Sequence, residues 1–500
     1  MKYCKFISTA ALATGMLGAT PALADITAAQ AWDSIQAIGQ SYGKVFTGNV
    51  TQTGDRLTVS DMKIAMDMPE GRIEGDLGTM TLTGRGDGTV RLELPEEHKM
   101  TFSVDPAEGE TLVMPMTIRQ TGLETIISGN PGDLDFTTSA RELFVLMPEM
   151  TVDGKPVQTG LNLNLTTLAA QYMIGGTDPR RIEASFDAAQ ASLAMDIREP
   201  EGKGHAKLSV SAQDLKSRSA STVPQDGDMA NMGAMLKAGF TTDSEISHGP
   251  ASFSFDFADA AQTMQADGTV RGGRFSVTMN PETLEYAATQ TGLDIAMSGS
   301  QIPLPEITAR IAESAFRVTI PATKSEEMRD FGLLASYKGI EMGEMLWSMF
   351  DPQGTLPHDP ADLVVDISGR GRWLVDFMDP EIAAQMTDAP PAEIAALELN
   401  ALELSLAGAS LTGRGSFTFD NAGAPGNMPQ PVGKVNLELE GGNTLLDRLV
   451  ALGLLPQERA QGMRMMLGLF ARPGAGEDTL VSEIEVTDEG QVLANGQRLR

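Results

Sequence analysis

Leu161-Asn-Leu-Asn-Leu165, Phe253-Ser-Phe-Asp-Phe257 and Val435-Asn-Leu-Glu-Leu439 decide the fold class, because each alternates apolar and polar residues without interruption. Successive side chains of a strand point to opposite faces, so a period of two places every apolar residue on one side. Val90, Leu92 and Leu94 repeat the pattern, as do Phe275, Val277 and Met279. Between Leu397 and Leu406 the phase slips at Ala401-Leu402, as expected where a bulge inserts one residue. Asp87-Gly88, Asp153-Gly154, Asp267-Gly268 and Asn495-Gly496 are hairpin-turn dipeptides, so the strands are expected to pair antiparallel.

Helical signals are fewer. Thr27-Ala-Ala-Gln30 is a capping box ahead of Trp32, Ile35 and Ile38. Asn280-Pro281-Glu282 has the form of a helix start leading into Leu284 to Thr291, with Gly292 as the stop. Asp379-Pro380 opens a short helix through Met386, and the stretches Met229 to Phe240 and Ile340 to Phe350 have helical period. Thr444 to Leu454 and Pro456 to Phe470 read as a helical hairpin spanning 444–470. Together these give an α+β chain, with large curved antiparallel β-sheets and a few amphipathic helices packed on them. The expected spans are 1–24 as a leader, 25–222 as an N-terminal β-rich region, 223–325 as a middle β/α region and 326–500 as a C-terminal β-rich region. Leu82-Thr-Gly-Arg-Gly86 recurs as Leu411-Thr-Gly-Arg-Gly415, and more loosely as Ile367-Ser-Gly-Arg-Gly371. Duplication of a sheet unit and chance recurrence of turn residues both account for this.

The chain has 500 residues, with 37 Lys and Arg against 67 Asp and Glu, a formal charge of −30. Phosphate binding requires a basic face, so a nucleic-acid partner is not expected. The charge also argues against electrostatic docking on anionic headgroups. Lys2 and Lys5, the apolar run Phe6 to Thr20 and Ala22-Leu23-Ala24 form an export signal, with cleavage expected after Ala24. The mature chain then has no Cys and no long apolar segment, and is expected in the periplasm without a transmembrane segment. Five Tyr and three Trp are too few for the two aromatic girdles of a membrane barrel.

Catalytic motifs are missing from the sequence. The four His, at 98, 205, 248 and 358, have no metal-ligand spacing, and neither a Walker loop nor a Gly-x-Ser-x-Gly elbow occurs. No cofactor, metal or catalytic residue is therefore assigned. Asp351, Asp359, Asp362 and Asp366 form the densest carboxylate cluster, but their spacing matches no calcium loop and solvated turns are the expectation. Arg85-Gly86-Asp87 is read as a hairpin turn. Met is abundant at 29, with Met229, Met232 and Met235 on one helical face and Met342, Met345 and Met349 on another. Core packing, a pliable apolar surface for an acyl chain or hydrophobic partner, and thioether coordination of Cu(I) all use such faces.

Leu346-Trp-Ser-Met-Phe-Asp-Pro-Gln-Gly-Thr-Leu-Pro357 through Gly369, Asp447 to Pro456 and Val492 to Leu499 resemble an exported alphaproteobacterial family, domain-of-unknown-function family 2125. The closing Ala494-Asn-Gly496 hairpin is more distantly similar to AsmA-like envelope proteins, and that resemblance implies lipid handling or outer-membrane assembly. The expected function is non-catalytic. A lipid or amphipathic envelope component would lie in an apolar groove beneath the helical hairpin, which presents Leu446, Leu449, Met463, Met466, Leu467 and Phe470. Three competitors are a closed core filled by the same residues, an assembly factor acting through envelope protein contacts, and an unrecognised hydrolase with a deep polar pocket of convergent carboxylates or His.

Overall fold

A computed structural model describes residues 26–41, 44–68, 71–106, 109–198, 204–225, 231–385, 392–421 and 429–499. The leader at 1–24 and Met229 lie outside the described residues. The strands of the described residues, 26 in all, form one antiparallel sheet.

The sheet runs in chain order almost throughout. It begins with β1 (Lys44–Thr53), β2 (Arg56–Met68) and β3 (Gly71–Gly84). The C-terminal end of β3 then pairs with β4 (Val90–Glu93) and its N-terminal part with β5 (Glu97–Pro106). These pair onward with β7 (Glu124–Asn130) and β6 (Leu112–Thr121) respectively, and both rejoin on the long β8 (Asp133–Val152). β9 (Lys155–Gly175), β10 (Arg180–Arg198) and β11 (His205–Val223) follow.

The same branching then recurs. The C-terminal part of β11 pairs with β12 (Thr241–His248), and its N-terminal part with β13 (Ala251–Ala258). β14 (Thr263–Val270) pairs with β13, β15 (Gly272–Met279) with β12, and both rejoin on β16 (Thr283–Gly299). The structural repeat is thus a long strand, two pairs of short strands laid end to end, and a second long strand. The Leu82 and Leu411 pentapeptides do not mark it: the first runs off the end of β3 into a turn, whereas the second lies inside a later strand. β17 (Ile307–Pro321), β18 (Arg329–Met342), β19 (Ala361–Trp373), β20 (Ala392–Leu406), β21 (Ala409–Asp420), β22 (Gln430–Glu440), β23 (Arg472–Pro473), β24 (Thr479–Val486), β25 (Val492–Ala494) and β26 (Gln497–Arg498) complete the sheet.

A crease crosses the long strands. On one face the apolar positions of β9 are Leu161, Leu163 and Leu165, then Leu168, Ala170 and Tyr172, a step of three where the rest step by two. Ala188 to Ala191, Ala212 to Leu215, Ile311 to Ser314 and Tyr337 to Ile340 repeat that step. The inserted residue is left-handed on alternate strands: Thr167 (φ 51°), Asp214 (φ 50°), Gly292 (φ 60°) and Gly339 (φ 64°). The splits between β12 and β13 and between β14 and β15 fall on the same line. An extra residue in a strand bends it and raises its twist, so the apolar face stays continuous while each strand turns at the crease.

Three small cores sit at the strand ends. α1 (Ala28–Ser41) starts at the expected capping box, where Thr27 N donates to Gln30 Oε1 at 3.0 Å. It buries Trp32 with Leu57, Val59, Leu82 and Ile127. α2 (Met232–Lys237) buries Met235 and Leu236 against Phe240, Leu284 and Ala322. α3 (Glu344–Phe350) buries Trp347 with Leu356 and Ala407, backed by Leu445 and Leu449 of α5 (Gly442–Ala451). Between them come α4 (Pro380–Gln385), near the expected position, and after them α6 (Gln457–Phe470).

Several sequence expectations are corrected. Leu284 to Thr291 is not a helix but part of β16. Asn280 Oδ1 does accept from Glu282 N and Thr283 N, at 2.9 and 3.0 Å, as a cap would. The chain then extends because β15 and β17 offer hydrogen-bonded ladders on both sides. Asp267-Gly268 is not a turn but lies within β14 opposite Phe253, and a Cβ at Gly268 would come within 2.4 Å of that ring. Ile340 to Met342 ends β18, and the helix begins only at Glu344. The slip at Ala401-Leu402 is present, as register shifts against both neighbouring strands.

Candidate functional site

Register assigns every strand residue to one of two faces, and the two differ sharply. One row reads Val145, Leu163, Leu193, Val210, Phe253, Gly268, Ile295, Ala309 and Met342 across β8 to β18. A parallel row beyond the crease reads Phe186, Ser217, Ile246, Phe275, Ala288, Phe316, Ala335, Val365 and Leu402. Away from the strand ends, no Asp, Glu, Lys or Arg occupies this face between β8 and β24. Ten of the 18 Phe lie on it, so a modest aromatic content is concentrated on one surface. The opposite face carries the charges as cross-strand pairs, such as Arg274–Glu245 at 2.8 Å and Arg218–Asp187 at 2.9 Å.

The apolar face is not closed over. Ile246, Phe275, Phe316 and Leu404 are 42 to 44% exposed, and Tyr286, Leu333, Tyr337 and Leu363 are also exposed. Phe275 and Tyr286 stack at 6.5 Å, forming an aromatic patch with Phe316 on the next strand. Following the pairings from β8 to β24 passes 14 strands, and 13 steps of roughly 4.8 Å give about 60 Å of this face. Alternation in β15 signalled part of this surface. Tyr286 and Phe316 were missed, the first because its segment carries a helix-start signature.

The six residues expected at the hairpin part company. Leu446 is buried, and Leu449 packs into the cluster around Trp347. Leu467 is half-buried, while Met463, Met466 and Phe470 are exposed at 50, 57 and 39%. α5 therefore faces the protein, whereas much of α6 faces solvent.

The carboxylate cluster separates into individual roles, and Asp351 is not a solvated turn. It is 2% exposed and accepts from Leu356 N at 2.7 Å and Thr355 N at 2.8 Å. Burial pushes its carboxyl up, but those two N–H groups and His358 outweigh it and hold the group below the ordinary carboxylate value. His358 stacks on Trp347 at 4.1 Å, and its Nε2 lies 3.7 Å from Asp351 Oδ2. Asp362 accepts from Gly339 N at the crease, and Asp366 from Asn400. Among the described residues, no three His, Cys, Asp or Glu side chains converge on a metal position. An open trough of about 1160 Å³ runs over the charged face, with its floor on Ser192, Ser211, Ser252 and Thr269.

Fold and surface define a class: an open, serially paired antiparallel sheet with one charged face and one apolar face. No helix of the described residues is long and apolar enough to cross a membrane. Residues 236–499, just over half of the chain, match the model of the family described as "uncharacterized protein conserved in bacteria (DUF2125)". The chain belongs to that family. No curated protein and no solved structure matches it.

Proposed function

We propose that the protein is a non-catalytic lipid-binding protein of the cell envelope that holds acyl chains along the apolar face of its sheet. The observation that carries this is the continuous, uncharged and partly exposed face from β8 to β24, with Phe275, Tyr286 and Phe316 at its centre. A protein strand or loop placed there would bring backbone N–H and C=O groups that this face cannot satisfy. An acyl chain brings none, and its burial is favourable at about 25 cal/mol per Å². Export to the periplasm through the 1–24 leader, and kinship with AsmA-like envelope proteins of alphaproteobacteria, belong to the same proposal. The first rests on the residue pattern of the N-terminus and the second on sequence resemblance.

Native mass spectrometry and solvent extraction of the protein purified from its natural compartment test the proposal. Co-purifying phospholipid or fatty acid, displaced by a fluorescent fatty acid, is the expected result. Ligand-free protein that fails to take up the fluorescent acid would overturn it.

A further inference from the structure

α6 turns several large apolar side chains of its C-terminal half outward. Ala460 is 1% exposed and Leu467 half-buried, and they mark the side packed on the protein. At 100° per residue, Met465, Leu469 and Met466 lie on the opposite arc, with Phe470 and Met463 on the flank between that arc and the packed side. Met465 is 71% exposed, Leu469 60% and Met466 57%. Beyond the first turn the only charged residue is Arg464, and it turns inward to Asp447 and the Asn443 carbonyl. A helix that merely capped the sheet would present these positions to the protein.

Local charge opposes the global charge. From Gln457 to Pro473, Arg459, Arg464 and Arg472 stand against Glu458, and with Asp447 paired to Arg464 the local net is +1 in a chain carrying −30. Arg459 and Arg472 are exposed and form no ion pair among the described residues. They bracket the apolar arc at its two ends. An apolar arc flanked by free guanidinium groups fits an anionic interface, where apolar side chains enter the acyl boundary and Arg stays among the headgroups.

We infer that α6 is a membrane-surface anchor, its Met465, Met466, Leu469 and Phe470 arc entering a phospholipid leaflet while Arg459 and Arg472 contact anionic headgroups. The overall acidity limits contact to this one surface, since the remainder of the chain is repelled by the same headgroups. This anchoring does not depend on lipid being held along the sheet.

Flotation of the full chain with vesicles separates the outcomes. The protein is expected to float with phosphatidylglycerol–phosphatidylcholine vesicles and poorly with phosphatidylcholine alone. Met465→Glu with Leu469→Glu is expected to cut binding by at least about tenfold, the cost of placing charges in the apolar boundary. Both positions are exposed, so circular dichroism is expected to stay unchanged, and Met465→Leu with Leu469→Met is expected to keep binding. Arg459→Gln with Arg472→Gln should remove the preference for phosphatidylglycerol. A wild-type chain that does not float, or a glutamate variant that floats equally well, overturns the inference. So does a wild-type dimer that the glutamate substitutions dissociate, because a second copy would then be the occupant of the arc. Native mass spectrometry on the same variants reports separately on sheet-bound lipid. Lipid retained without flotation, or flotation without retained lipid, identifies which of the two proposals fails.

Discussion

Phe316→Ala tests the apolar face where its aromatic patch is most open. Phe316 is 42% exposed and shares a row with Ala288 and Phe275. An aromatic side chain presents roughly 200 Å², so about 80 Å² of this ring faces water and is available to a ligand. At about 25 cal/mol per Å² that area contributes about 2 kcal/mol to holding an acyl chain, or roughly a thirtyfold change in dissociation constant. Phe275→Ala removes a similar area, since Phe275 is 44% exposed. The double variant is expected to approach a thousandfold loss if one ligand covers both rings. Displacement of a fluorescent fatty acid measures the affinity, with far-UV circular dichroism and thermal unfolding as controls for the fold. Unchanged affinity in a folded double variant would refute the placement of the ligand on this face.

Three further outcomes follow from the packing. Leu236→Ala empties a fully buried position between α2 and β16, and a cost of about 2–5 kcal/mol should appear in chemical denaturation. Gly339→Ala places a side chain at φ 64° with the Ala312 Cβ only 2.7 Å away; a loss of about 1–3 kcal/mol is expected, and an unchanged midpoint would mean the crease tolerates ordinary residues. Asp351 has a depressed pKa when folded, so its contribution is present above the ordinary carboxylate value and is lost as pH falls through the folded one. Asp351→Asn should therefore flatten the acid limb of a melting-temperature profile, and parallel profiles for variant and wild type would count against the assignment.

The strands were largely legible in the sequence because the sheet has one dry face and one wet one, which is the condition for clean alternation. Turns were legible at three of the four dipeptides, and Asp87-Gly88 joins β3 to β4 with left-handed Gly86 and Gly88. Asp153 and Gly154 have φ of 47° and 73°, and Asn495 and Gly496 have 49° and 79°, so both pairs turn the chain. Asp267-Gly268 has the same composition, but its glycine makes room for the Phe253 ring. Asn280 shows why local capping signals mislead: an Asx turn satisfies the same N–H groups whether a helix or a strand follows. The crease was illegible, because its step of three becomes meaningful only once several strands are aligned and fall out of phase on one line. The outward arc of α6 was hidden for a different reason. Met at helical spacing looks the same whether it faces a core or water, and only the position of Ala460 and Leu467 against the protein fixes the answer.

The serial pairing of the sheet makes the molecule nearly one-dimensional in its energetics. Apart from the two branched units and the short β23, which bonds only to β24, each strand bonds to its predecessor and successor in the meander, so stability is close to a sum of neighbouring interfaces, as in a solenoid. Loop closure between partners is short, and the N-terminal strands can pair before the C-terminal ones have been synthesised. Unfolding should spread from an end toward the interior. The hairpin rungs between the α1 core and the α3–α5 core would then act as a row of semi-independent units, each lost without collapsing its distant neighbours.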